Sequence, residues 1–409
     1  MRSRSEQATV LLLLSTTLLT AACRSDGPDA TSLATATVRD SAGVTIVENP
    51  APGEDVSPGW EVGPSPTVEI GLLDGPEAYQ LFRVRDARRL ADGRIAVVNT
   101  GSQEVRLYGA DGVHLENWGG QGEGPGEFMN PTTISWWPGD SVAVWDQRLR
   151  RLAIFTLEGD LGRTLSFPAI DDMPAPLFSH VLAGGDAVVR ATVFTDEDLS
   201  TGMMRQPVDV AVVDRDGRLV ASLGSHLGRE GYIVIGNGTV SIFAMPFFRD
   251  AVIEAAGSHS IIGATDRFEF GLWDGEGALS RIVRVAIPPR LITDAEKSAV
   301  LDRRLAEASE EDRPGIRRTW EEIPMSDTLP AHAALVVDDG GNAWIQTFRL
   351  PVDEGPARWL VLDPDGQVLG RVTLPENLTV YEIGTDYILG AATDDLGVER
   401  VQMWPLRRH

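Results

Sequence analysis

The chain has 409 residues, 43% hydrophobic and 23% charged, with 42 glycines and 25 prolines. This is the composition of a folded chain rich in tight turns, and it excludes a largely disordered one. The 36 basic and 60 acidic residues leave a formal net charge of −24. Nucleic acid is thereby excluded as a natural partner, because binding it requires Lys and Arg to neutralise phosphates. The same balance disfavours an anionic membrane surface. The only cysteine is Cys23, so no intramolecular disulfide can form and the core must hold the fold.

In chain order, Arg2 and Arg4 precede the apolar run Val10–Leu19. A membrane-spanning helix needs about 20 apolar residues, so the run has the length of a signal-peptide core instead. It leads into Leu19-Thr20-Ala21-Ala22-Cys23. That stretch resembles a bacterial lipoprotein signal, with Thr20 where leucine is usual. The resemblance implies cleavage before Cys23 and a diacylglyceryl group on it. Residues 1–22 would be the signal peptide and 23–59 a lipid-anchored flexible tether. Arg24 follows Cys23 where an aspartate would signal inner-membrane retention, which implies the outer membrane. Membrane contact is expected only through this lipid.

Within the tether, Gly43–Glu48 reads as a short strand. From Trp60 a repeat begins: turn, alternating apolar strand, polar turn, alternating apolar strand. Leu90–Gly119 and Trp137–Phe167 show it most clearly, and four noisier copies follow. Turn glycines at 93, 139, 185, 257, 341 and 384 mark six units. The shorter gaps match four-stranded propeller blades, and the two long ones need insertions. His226–Phe248 is expected as a Gly-rich, aromatic loop. Leu291–Pro324 is expected to be helical, because Thr293 and Glu296 form a capping-box pattern and Leu301, Leu305 and Ala308 share one face. The last unit lacks a strand, and Thr67–Gly71 is placed to supply it. The expectation is an all-β, six-bladed β-propeller over residues 60–409. Its N-terminal strand closes the last blade, and a helical insertion spans 291–324.

The stretch Gly122–Pro131, GEGPGEFMNP, resembles the inter-blade signature of NHL-type six-bladed propellers. The combination of lipoprotein signal, DSAGV (Asp40–Val44), GPGEF, helical insertion and LPAHAALVVDDGGNAW (Leu329–Trp344) resembles a family of six-bladed bacterial envelope lipoproteins. That resemblance implies fold and location and leaves the activity open.

The run Gly119–Pro131 could be mistaken for a phosphate loop. It lacks the Lys-Ser/Thr end of a Walker loop, Pro125 breaks the dinucleotide spacing, and a strand follows where a helix would be needed. It reads as a connector between blades, with Phe128 filling the core. Asp214–Gly217 and Asp363–Gly366 lack the further ligands of a calcium loop and read as hairpin turns. No G-x-S-x-G nucleophile is present. Trp136, Trp137, Trp145, Trp344 and Trp359 are expected mostly in inter-blade cores. The residues that begin the first strands are Arg85, Asn130, His180, Arg249, His332 and Glu382, the candidate channel and ligand-binding set. Two arginines among them oppose a divalent metal and favour an anionic ligand. The expectation is a monomeric, non-catalytic propeller at the cell envelope, without cofactor, binding a protein or small molecule. The alternative is a metal-dependent hydrolase or lyase centred on the channel.

Overall fold

The computed structural model describes residues 35–409, apart from 168, 171–172, 193–199, 237–238 and 245–246. The signal peptide and Cys23 lie outside the described residues.

Six antiparallel sheets follow one another along the chain. Blade 1 runs from Val84–Arg89 to His114–Gly119, blade 2 from Pro131–Trp137 to Leu161–Ser166, and blade 3 from Leu177–Val181 to Leu219–Gly236. Blade 4 runs from Ala251–Ala256 to Leu279–Val285, and blade 5 from His332–Val337 to Val368–Leu374. Blade 6 begins at Thr379–Ile383 and ends at Glu399–Arg407. The glycines at 93, 139, 185, 257, 341 and 384 each lie between the first and second strands of their blade. The repeat period was therefore read in the correct phase.

Each blade twists as a sheet must and presents two apolar faces to its neighbours. Six buried clusters fill the six interfaces. Trp137, Trp145 and Phe178 join blades 2 and 3. Trp118, Phe128, Ile134 and Phe155 join blades 1 and 2. The ring closes where Ile95, Val97 and Tyr108 of blade 1 meet Tyr387, Leu389 and Val401 of blade 6. The innermost strands of successive blades also lie side by side, including those of blades 6 and 1.

Blade 6 has three strands of its own at the C-terminal end. Val68–Ile70 supplies the fourth, pairing antiparallel with Val401–Met403. Ile70 is 1% exposed in the core between blades 6 and 1. Glu61–Val62 adds a short pairing with Leu406 and Arg407. The expected closing strand is present and in place.

The Gly119–Pro131 connector leads into the strand Pro131–Trp137, as the connector reading requires. Gly119 has φ 80, and a Cβ there would overlap the Phe128 ring, which is fully buried between blades 1 and 2. The Asp214–Gly217 and Asp363–Gly366 segments are hairpin turns, closed by amides of Gly217 and Gly366 donating to the carbonyls of Asp214 and Asp363 at 2.9 Å each. Trp137, Trp145, Trp344 and Trp359 are buried, whereas Trp136 is exposed.

Two expectations are corrected. The tether assigned to 23–59 is not loose over Thr37–Asn49. There a hairpin, Thr37–Ser41 with Val44–Asn49, turns at the DSAGV stretch and adds to the outer edge of blade 4. Val44–Asn49 runs parallel to Leu279–Val285, and Val47 enters the core between blades 4 and 5. Asn49 fastens it: its Nδ2 donates to the Gly366 carbonyl at 2.8 Å, and its Oδ1 accepts from the Val368 amide at 3.0 Å. The hairpin's second strand matches the one read at Gly43–Glu48; the first, Thr37–Ser41, was missed because it begins in the small polar run assigned to the tether. Second, His226–Phe248 is largely strand rather than loop. Blade 3 carries long strands Gly202–Val213 and Leu219–Gly236, with Thr239–Ala244 paired beyond them.

The ring closure is testable at its seam. Ile70→Ala should lower unfolding free energy by about 2–5 kcal/mol in a denaturant titration, the range for a truncated buried Ile. A change below about 0.5 kcal/mol, as at an exposed site, would show that this strand does not seal the ring.

Candidate functional site

The first strands line the central channel, and the charged residues on them form one cluster. Arg88 in blade 1 is surrounded by three carboxyls: Asp86 of its own strand, Glu254 of blade 4 and Glu382 of blade 6. Asp86 accepts the amides of Ala87 at 2.9 Å and of Ile134 in blade 2 at 3.0 Å. Glu382 accepts the Arg89 amide at 2.7 Å and faces the Arg88 guanidinium at 3.9 Å. Arg88 Nε donates to the Ile134 carbonyl at 3.2 Å. Glu254 accepts the Ala255 amide at 3.1 Å and keeps part of its surface open to the channel. Hydrogen bonds and the Arg88–Glu382 pair thus tie together blades 1, 2 and 6, with the charge of Glu254 in blade 4 acting on them.

One guanidinium cannot balance two buried carboxylates and a third half-buried one, so desolvation favours their protonated forms. Burial pushes Asp86 up to about 6, with Arg88 opposing. Burial pushes Glu254 up to about 7, again against Arg88. Glu382 is raised by burial, and Arg88 and the Arg89 amide oppose the shift. The cluster can hold a proton near neutral pH. Among the described residues, no three His, Cys, Asp or Glu side chains converge as metal ligands.

The six residues singled out at the strand starts do not assemble. Only Glu382 belongs to the channel cluster. Arg85 is exposed, on the bulge between Val84 and Asp86. Asn130 is half-buried; its amide donates to Asp146 at 3.0 Å and its carbonyl accepts from Gln147 at 3.0 Å, forming a corner of blade 2. His180 is buried between blades 3 and 4 with its Nε2 3.1 Å from Ser260 Oγ, and burial pushes its pKa down to about 3. Arg249 is a clamp. It pairs with Glu230 at 3.2 Å and Asp266 at 3.3 Å and donates to Ser326 Oγ at 2.8 Å. Arg205 grips the same Asp266 with two bonds at 2.8 and 2.9 Å. This network binds the long hairpin of blade 3 to blade 4 and to the segment after the helices. His332 is fully buried among Phe268 and Phe270 of blade 4, with ring centroids 5.5 and 5.2 Å away. The backbone of Ala264 and Arg267 beside the ring favours its charged form, without outweighing burial. Burial pushes its pKa down to about 4, so the ring is neutral at pH 7.

Asp86, Arg88 and Glu254 were missed by looking at strand starts. Bulges after Val84 and Val380 shift which residues face inward. The available signal was charge at alternate positions, Asp86 and Arg88, inside a strand with apolar neighbours.

A second region lies on the face that carries the insertion. Helix α1 spans Asp294–Glu307 and α2 spans Arg313–Glu322. The expected capping box is formed: the Glu296 amide donates to Thr293 Oγ1 at 3.2 Å, and the Thr293 amide donates to Glu296 Oε2 at 2.8 Å. Val300 of α1 packs with Phe247, Ile292, Leu329 and Leu350. Between α1 and the ends of blades 4 and 5 is a cavity of about 490 Å³. Its apolar walls include Phe247, Phe248, Val300 and Phe348, and its polar lining includes Arg303, Arg304, Arg349 and His332. Phe247 holds φ 59, a left-handed conformation that costs an L-residue roughly 1–2 kcal/mol. Arg303 is occupied by Glu307 at 2.8 Å and by the Pro351 carbonyl. Among the described residues, Arg304 and Arg349 pair with no carboxylate; Arg349 donates only to the Asp353 carbonyl, at 2.8 Å.

No protein-family model matches the chain, and no curated protein matches it. Solved structures do. A protein from Bacteroides fragilis, provisionally described as exported, superposes with a TM-score of 0.50 and 10% identity, covering 89% of this chain and 99% of that one. A member of the DUF4221 family from Bacteroides vulgatus matches with a TM-score of 0.50 and 10% identity over 87% of this chain and 100% of that one. A gluconolactonase from Xanthomonas campestris is more distant, with a TM-score of 0.41 and 12% identity over 80% of this chain and 87% of that one. The likeness concerns the fold alone.

The channel cluster makes a pH prediction. Unfolded, a glutamate titrates near its ordinary 4.5; folded, burial pushes Glu254 up to about 7. Between those values the folded state binds more protons, so Glu254 lowers stability as pH rises. Glu254→Gln removes this loss. Its stability relative to wild type should therefore rise from pH 4.5 to 7, by at most about 3 kcal/mol. A difference that stays flat across this window would show that Glu254 does not hold the proton.

Proposed function

We propose that the chain is a non-catalytic binding propeller, held at the bacterial envelope by a lipid on Cys23, with its ligand site beneath α1. The observation that carries this reading is the cavity of about 490 Å³, which has the size and apolar lining of a small-molecule site. It is built by the helical insertion, an element the propeller ring does not need for closure. The channel, by contrast, is spanned by a charge cluster whose members are bonded to backbone amides of several blades. That arrangement supports a structural role for the channel. The channel hydrolase or lyase finds no converging ligand set among the described residues.

The lipid anchor rests on the Leu19–Cys23 pattern, and the outer-membrane location on Arg24.

Ala333 is exposed and borders the cavity, so Ala333→Trp should block it without disturbing a core. Wild-type protein warmed with fractionated envelope small molecules should show a fraction that raises its Tm by several degrees, as binding to the native state requires. Ala333→Trp should lose that shift. A shift that survives the variant, or consumption of the bound component, would overturn the reading. The anchor is tested separately: Cys23→Ser should lose incorporation of labelled fatty acid and leave the membrane fraction. Continued labelling would refute lipidation at Cys23.

A further inference from the structure

The cavity beneath α1 contains chemistry that selects among ligands. Arg303 and Glu307 satisfy each other at 2.8 Å, and Asp250 faces Arg229 at 4.0 Å. Both carboxylates that line the cavity are thereby engaged. Arg304 and Arg349 are left, among the described residues, without a carboxylate partner. Guanidinium forks match the geometry of an oxyanion. Behind them, the walls are the rings of Phe247, Phe248 and Phe348 with Val300.

Resting on the binding reading above, we propose that this cavity takes an amphiphilic monoanion: an apolar body ending in a carboxylate, with Arg304 and Arg349 as the anion contacts. The apolar body lies against the phenylalanines, and the cavity's excess positive charge excludes a cationic equivalent.

The test uses the full mature chain and three ten-carbon probes below their micelle concentrations: decanoate, 1-decanol and decyltrimethylammonium. Calorimetric titration should give decanoate an affinity at least tenfold above that of decanol, with the cation weakest; tenfold is the scale expected for a charge-assisted contact. The double variant Arg304→Gln/Arg349→Gln, with its fold checked by circular dichroism, should bring decanoate to the level of decanol. Ala333→Trp should abolish binding of both. Equal affinities for decanoate and decanol that vanish in Ala333→Trp would overturn the anion assignment while the cavity stands as a binding site. Preferential decanoate binding that persists in Ala333→Trp would overturn the cavity itself. Absence of binding by all three probes would overturn the ligand class. Phosphatidylglycerol vesicles separate a buried ligand from a surface: cosedimentation that depends on the two arginines but ignores Ala333→Trp would place them on a membrane and overturn the proposal.

Discussion

Everything in this molecule depends on closing a ring with a strand from the far end of the chain. Blade 6 supplies three strands, and Val68–Ile70 must return to complete it against Glu399–Arg407. Without that pairing the last blade would end in a bare edge, and the core between blades 6 and 1 would lose Ile70. Once the seam is closed, each blade is gripped on both faces. Six modest apolar clusters then act as one circular core with no weak end. This explains how a chain without a disulfide holds a large all-β fold.

The closed ring determines what the two charged regions can be. In the channel the first strands converge, so charges brought there are desolvated and close together. Arg88 and its three carboxyls meet that cost by backbone hydrogen bonds and by raised carboxyl pKa values. The insertion face has no such constraint. There α1 borders a cavity at the ends of blades 4 and 5 rather than filling it. The network of Arg205, Arg249, Glu230 and Asp266 braces the arm of blade 3 and the segment that follows the helices. Rigid support around an incompletely filled cavity is the arrangement a preorganised binding site needs.

Much of the fold was legible because its determinants are local. The turn glycines from 93 to 384 mark the blades, alternation marks the strands, and Thr293 with Glu296 marks the start of α1. The closing strand was legible by counting, since a propeller with one three-stranded blade needs a donor. The site was far less legible. Whether a residue on a first strand faces the channel or a neighbouring blade depends on bulges such as that at Arg85, which composition does not reveal. Glu254 gave no sign of lying opposite Arg88, because the two are brought together only by the ring. His332 was noticed for its place before an apolar strand. What matters about it, an imidazole sealed against the rings of Phe268 and Phe270, is a tertiary fact. Of the hairpin at Thr37–Asn49, the strand Val44–Asn49 was legible and Thr37–Ser41 was obscured by the polar segment before it.

That hairpin also sets the order in which the molecule would resist a pull. The chain reaches the ring through Thr37–Ser41 and Val44–Asn49 before it reaches the closing strand at Val68–Ile70. Tension arriving from the N-terminal side therefore loads the outer edge of blade 4 first, where Val44–Asn49 lies parallel to Leu279–Val285 and Asn49 is fastened to blade 5. The seam between blades 6 and 1 is loaded only after that attachment gives way. The hairpin is thus a strain relief, separating the point where force enters from the joint on which the ring depends.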